Sequence, residues 1–446
     1  MEKCAVEIQD RINRGFLAIL VGLCAVCVAT AAQARDVVIH AGTLLDGISR
    51  LPRHHVSILV HDERITAVSE GFIRPAGSDI IDLSGETVMP GFIDCHVHIS
   101  TPLPSRTNAL EYVFTHNDID RGFDGARFAR AMLQQGFTGA RDVGGGDDTV
   151  SLRNAIAEGK VAGPRLWVSL EPLGPTAGHG DVRSGLDARL NHPEWSNGIV
   201  DTVDMARLKV REHKRRGADL IKIMPSGGIA STGDDPRQQL MTDVEMQTSI
   251  ETAHALGMKV AAHAYPAGAI EAAVRAGVDS VEHGSFATEQ TFALMKARGT
   301  YLVPTLTVFD VFYATARDHP ELLQPGTAAK ELANDLLPAK NFPLALRSGV
   351  KIAFGSDIGE GDHATEFRLM IAAGMPPLEA LFTATRNASD LIGASHEIGS
   401  IQPARYADII ATRGDPLSNP ALFGKIDFVM KGGEVYRANG FPTPQP

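Results

Sequence analysis

Between Gly91 and Gly393 the chain repeats one pattern. A stretch of helical character ends in glycine, and two or three residues later a short apolar run begins and stops on a polar residue. Arg215-Arg216-Gly217 leads to Leu220-Ile221-Lys222-Ile223-Met224, Ala255-Leu256-Gly257 to Lys259-Val260-Ala261-Ala262-His263, and Arg275-Ala276-Gly277 to Asp279-Ser280-Val281-Glu282-His283. The same grammar recurs at 137–142, 301–305 and 351–357. Glycine suits the left-handed residue that ends a helix, and Thr242-Asp243-Val244-Glu245 predicts a helix start by a capping box. Helices alternating with strands that are apolar on both faces predict an α/β fold, with a parallel sheet covered by helices. With runs at 88–100 and 165–170 the count is about eight strands, which predicts a (β/α)8 TIM barrel over residues 91–393. A doubly wound open sheet is the competing architecture, but the chain lacks Gly-x-Gly-x-x-Gly after its first strand.

The flanks read differently. Residues 35–90 and 394–446 hold short strand-like runs separated by turns, among them 36–40, 56–60, 64–68, 408–412 and 428–436, the last with a Gly432-Gly433 hairpin signal. They predict a small β-sandwich domain built from both chain ends beside the barrel. Residues 1–34 carry Arg11 and Arg14, an apolar run over 16–29 and then Ala32-Gln33-Ala34. This predicts a secretory signal peptide cleaved after Ala34, a secreted or periplasmic protein, and no stable membrane insertion after cleavage. An uncleaved anchor is the alternative; the run is shorter than the ~20 apolar residues a span needs. Cys4, Cys24 and Cys27 lie in this leader, so the mature chain keeps Cys95 alone and forms no internal disulfide. The formal net charge of −11 argues against a nucleic-acid partner.

In a barrel of this kind the chemistry sits at the C-terminal strand ends. His96, His98, Lys222, His263, His283 and Asp357 fall there. His96 and His98 are two residues apart, share a strand face and can grip one ion. Together the set can hold two divalent metal ions, with Zn²⁺ suited to imidazole and carboxylate and Mn²⁺ or Co²⁺ as alternatives. A protonated Lys222 would repel them. A neutral lysine that adds CO₂ becomes a carbamate of charge −1 that can bridge two ions, and burial near other cations favours the neutral amine.

These six residues, in this order, resemble the metal site of the amidohydrolase superfamily, over nearly all of the mature chain. The resemblance is closest to the prolidase-like, imidazolonepropionase-related branch, through Ile221-Lys222-Ile223-Met224 with Gly227-Gly228, Gly178-His179-Gly180, Val281-Glu282-His283-Gly284 and Ala384-Thr385-Arg386-Asn387-Ala388. That branch contains dipeptidases, carboxypeptidases releasing a C-terminal amino acid, and ochratoxin-cleaving amidases. The resemblance implies a binuclear enzyme acting on small-molecule amides: dipeptides or N-acyl amino acids, ochratoxin A among them. His96, His98 and Asp357 would hold one ion, His263 and His283 the other, and carbamylated Lys222 would bridge them. Asp357 and Lys222 are the implied catalytic residues, Asp357 carrying a proton to the leaving amine. His179, Tyr265 and His363 are candidate substrate contacts. His179 would approach the scissile carbonyl or a carboxylate, Tyr265 the free carboxylate, and His363 follows the Gly359-Glu360-Gly361 loop. Imidazolonepropionase lacks the bridging lysine, so Lys222 favours peptidase-like chemistry over cyclic-amide or imidazolone hydrolysis. A non-catalytic binding protein on the same fold is the third reading, weakened by the complete ligand set. The preferred side chains have no readable code, and a homo-oligomer stays compatible with the sequence.

Overall fold

The computed structural model describes residues 36–190, 192–334 and 338–444; the leader expected over 1–34 lies outside them. Before the central region run β1 (Asp36–Leu44), β2 (Arg53–His61), β3 (Arg64–Glu70) and β4 (Asp79–Pro90); after it run β13 (Ile409–Thr412), β14 (Phe428–Lys431), β15 (Glu434–Ala438) and β16 (Phe441–Pro442). Between them lie β5 (Phe92–Val97), β6 (Phe137–Asp142), β7 (Arg165–Val168), β8 (Leu220–Ile223), β9 (Lys259–Pro266), β10 (Ser280–Phe286), β11 (Tyr301–Val303) and β12 (Lys351–Ile352).

The eight flanking strands form one sheet in the order β16-β15-β14-β13-β4-β1-β2-β3. Where a small β-sandwich from both chain ends was expected, the strands pair as one continuous ladder, because β4 serves both chain ends. It runs parallel to β1 from Val37↔Asp79 to Leu44↔Val88, and antiparallel to β13 from Ile409↔Pro90 to Thr412↔Thr87. The polar Ser84-Gly85-Glu86 interruption hides β4 from a periodicity reading. Ile39, Ile58, Val88 and Ile409 are among the buried residues that hold the sheet's own core.

The eight central strands are parallel throughout and pair in two ladders, β5-β6-β7 and β12-β11-β10-β9-β8. The ladders also meet at both edges. At one, Leu173 N–H donates to Lys222 O and Met224 N–H to Leu173 O, both at 2.8 Å. At the other, Cys95 N–H donates to Phe354 O (2.8 Å) and Asp357 N–H to His96 O (2.7 Å). Helix Val203–Arg216 ends on Gly217 with φ 102°, and helix Ala267–Ala276 on Gly277 with φ 98°, the left-handed positions read from the sequence. Thr242 and Glu245 form the expected reciprocal cap, each side chain accepting from the other's backbone N–H. Among the described residues no helix is long and apolar enough to cross a membrane.

Candidate active site

The side chains at the C-terminal ends of the central strands converge. His96 Nε2 and His98 Nε2 lie 3.3 Å and 3.1 Å from the same atom, Asp357 Oδ1. The His283 ring stands 5.2 Å from His96 and 4.7 Å from His263, centroid to centroid. Lys222 is buried at the end of β8 and lines the same cavity, about 1220 Å³ in volume, as these four histidines and Asp357.

Each imidazole is fixed from behind. The His96 Nδ1–H donates to Glu282 Oε2 at 2.7 Å, and the His98 Nδ1–H to the Gly144 carbonyl at 2.8 Å. A carboxylate and a carbonyl only accept, so both rings carry a proton on Nδ1 and turn Nε2 toward Asp357. His283 Nδ1 meets Thr305 Oγ1 at 2.7 Å, and His263 Nε2 lies 3.2 Å from the Gly227 carbonyl. Glu282 is itself held by Arg141, whose Nη2 donates to Oε1 at 2.9 Å, and by Ser280. Asp142 accepts from the backbone N–H of Ile99 (2.7 Å) and Gly144 (3.1 Å), which pins the two loops beside His98.

Alternation along β10 would send Glu282 and His283 to opposite sides. The backbone resolves the conflict: His283 adopts φ 72°, leaving Glu282 on His96 while its own ring joins the cluster. Asp357 (φ 60°) and Thr305 (φ 52°) are left-handed too. Three non-glycine residues in this costly region at one site mark a geometry imposed by its surroundings.

Burial lowers the Lys222 ammonium to about 8, with Glu282 and Asp357 pulling the other way. Burial also drives His263 and His283 well below the usual imidazole value, so both are neutral. The Asp357 carboxyl is buried, which favours its acid form, but the charge and hydrogen bonds of His96 and His98 outweigh that and hold it well below the carboxylate range. Glu282 follows the same balance, with Arg141 the chief stabiliser of its charge. The result is neutral imidazoles at His263 and His283, an ionised carboxylate at Asp357 and a lysine close to losing its proton. His96, His98 and Asp357 each offer one atom within 4.8 Å of the others. This donor set fits a divalent ion such as Zn²⁺.

The three candidate substrate residues part company. His179 stacks on His263 with centroids 4.2 Å apart, donates or accepts at Ser231 Oγ (2.8 Å), and is lowered by burial to about 4. A Cβ on Gly228 would stand 2.2 Å from its Nδ1, so glycine is what admits the ring. Tyr265 packs 4.6 Å from His263 and 5.2 Å from His283, and burial raises its hydroxyl well above the usual phenol value, keeping it a donor. His363 does not reach the cavity. It is 1% exposed, against Asp94 Oδ2 and Ser356 Oγ at 3.0 Å each and 5.5 Å from the Phe137 ring. The expected substrate contact at His363 is therefore corrected to a buried brace under Asp94, which the turn after Gly361 carries inward. Cys95 is buried as an apolar residue, as its alternation with the histidines implies. Sequence reasoning passed over Glu282, Arg141 and Thr305. The available signal was a pair of opposite charges, Arg141 and Glu282, each inside an otherwise apolar strand.

This fold and this ligand cluster define a class, and residues 87–436 match the model of the amidohydrolase family. The chain belongs to that family and is a hydrolase acting on C–N bonds. Among its relatives is the ochratoxinase of Aspergillus niger, 32% identical over 93% of this chain and 89% of that protein. Among solved structures, a Xaa-Pro dipeptidase with bound methionine in its active site superposes with a TM-score of 0.85 at 31% identity, over 90% of this chain and all of that one. A prolidase complexed with N-methylphosphonate-L-proline gives 0.82 at 33% identity, over 90% of this chain and 100% of that one. These neighbours place the chain in a prolidase-like amidohydrolase branch.

Proposed function

We propose that the eight parallel strands close into a (β/α)8 barrel whose mouth holds two divalent ions, and that the chain hydrolyses dipeptides or N-acyl amino acids, releasing the C-terminal amino acid. One observation carries the reading: His96 and His98 turn their Nε2 atoms to one carboxylate oxygen of Asp357 beside a buried Lys222. Its likeness to an ochratoxinase and to a Xaa-Pro dipeptidase supports it, the second by name an enzyme that cleaves dipeptides.

His96, His98 and Asp357 would hold one ion, His263 and His283 the other, with Lys222 between them as a carbamate. Ions bound there supply Lewis-acid polarisation and acidify water toward a pKa of about 7. The remaining work belongs to the chain. Asp357, kept ionised by its two histidines, takes a proton from the attacking water and hands it to the leaving amine nitrogen. Tyr265, kept protonated, donates its hydroxyl to the substrate's free carboxylate. His179, neutral and braced on Ser231, orients the scissile carbonyl. A library of dipeptides and N-acyl amino acids, ochratoxin A included, tests this with zinc-supplemented protein. Release of free amino acid is the expected result, and no release from any member would overturn the reading. We also propose that the chain is exported, on the strength of residues 1–34; a mature N-terminus at Arg35 is the expected sequencing result, and an intact leader contradicts it.

A further inference from the structure

Glu331 belongs to helix Thr327–Asn334 and lines the same cavity as the metal-capable cluster. It is 1% exposed, and neither carboxyl oxygen has a hydrogen-bond partner. Burial alone raises its pKa to about 7. A buried, unpaired carboxyl is costly, and a protein keeps one where something else completes it.

The cations on the same helix and elsewhere along the cavity are committed to other partners. Lys330, the next residue back, donates to Gly228 O (2.9 Å), Ser231 O (2.7 Å) and Asp234 Oδ1 (2.9 Å). Arg121 is paired with Asp118, and Arg216 with Glu171 and Asp147. Glu331 therefore faces the cavity without a cationic partner among the described residues. The adjoining wall is apolar: Ile229, Tyr265, Val308 and Phe309 form one buried cluster with Phe312 packed against it, and all five line the cavity. Helix Thr327–Asn334 packs against helix Leu306–Asp318, which supplies Val308, Phe309 and Phe312 to that wall. An aliphatic stem along apolar side chains with a carboxylate waiting at its end is the environment that a lysine or arginine side chain seeks.

From this juxtaposition we infer that Glu331 is the specificity residue for a basic side chain on the substrate, so that the preferred substrates carry lysine- or arginine-like groups. The inference rests on the cavity being the amide-hydrolase site proposed above. An α-amino group is the other cation a dipeptide offers, but it has no methylene stem to use the apolar wall.

The test compares L-lysine with L-2-aminoheptanoic acid, in which a methyl group replaces the side-chain ammonium, each titrated calorimetrically into zinc-supplemented protein. Both carry the α-amino group, so the difference isolates the side-chain cation. Lysine should bind about tenfold or more tighter, as a charge-assisted contact warrants. Glu331→Gln should bring the ratio close to one, while Glu331→Asp, which keeps the charge, retains a preference. Equal binding of both ligands by the unsubstituted protein, a ratio unchanged in Glu331→Gln, or a Glu331→Gln variant that weakens both alike would each overturn the assignment. The amino-acid release assay separates this failure from that of the parent reading: a Glu331-dependent preference without amide cleavage removes hydrolysis and leaves the cation site.

Discussion

Asp357 and Lys222 illustrate how one environment sets opposite charge states. The same burial that penalises charge on Lys222 is overruled at Asp357 by two imidazoles within 3.3 Å. Two expectations follow at this scale. Asp357→Asn removes the proton carrier and should lower kcat by about 10²–10⁴-fold, the usual worth of positioned acid–base catalysis; a kcat within threefold of the parent would show that another group moves the proton. Glu282→Gln leaves His96 with a weaker brace and should cost about 10–100-fold in metal affinity, read by competition with a chelator. Carbamate formation consumes the neutral amine, whose share grows as pH rises through the Lys222 value of about 8. Reactivation of stripped protein by zinc and bicarbonate should therefore quicken across that pH, and a flat profile would show that Lys222 takes up no CO₂. The six candidate residues, which the structure brings to one cavity, were legible because each is a polar residue closing an otherwise apolar run. Glu331 was not, since nothing in a helix sequence says that a glutamate has been left without a partner.

The elements were legible where a period or a punctuation mark exists. Glycine at 217 and 277 located helix ends that the structure places in the left-handed region, and the Thr242–Glu245 cap appeared where its spacing put it. β4 was missed because Ser84-Gly85-Glu86 breaks its alternation, yet it is the strand that joins the two chain ends. The strand order of that sheet was not legible, because strand pairing is long-range and no residue in β13 names its partner. Closely packed backbone also sets a test at this scale. A Cβ on Gly359 would stand 2.0 Å from His98 O and 2.5 Å from Thr101 O, and backbone cannot rotate away. Gly359→Ala should destabilise the fold by about 1–3 kcal/mol and displace His98, lowering metal affinity as well. An unchanged melting temperature with unchanged metal content would show that the β12 loop does not position the site.

Across the whole molecule, parallel strands bring together residues more than 250 positions apart, and the site exists only while both edges of the two ladders are joined. His363 marks the limit of inference from order along the chain: a histidine that follows the last strand end can turn inward as readily as toward the mouth. The central claim is that His96, His98, Lys222, His263, His283 and Asp357 jointly hold a pair of ions. Elemental analysis of purified, folded protein measures this most directly. About two divalent ions per chain, falling to one or none in Lys222→Ala, is the predicted result. A folded, catalytically active protein that carries no ion, or a Lys222→Ala variant that keeps both, would contradict it.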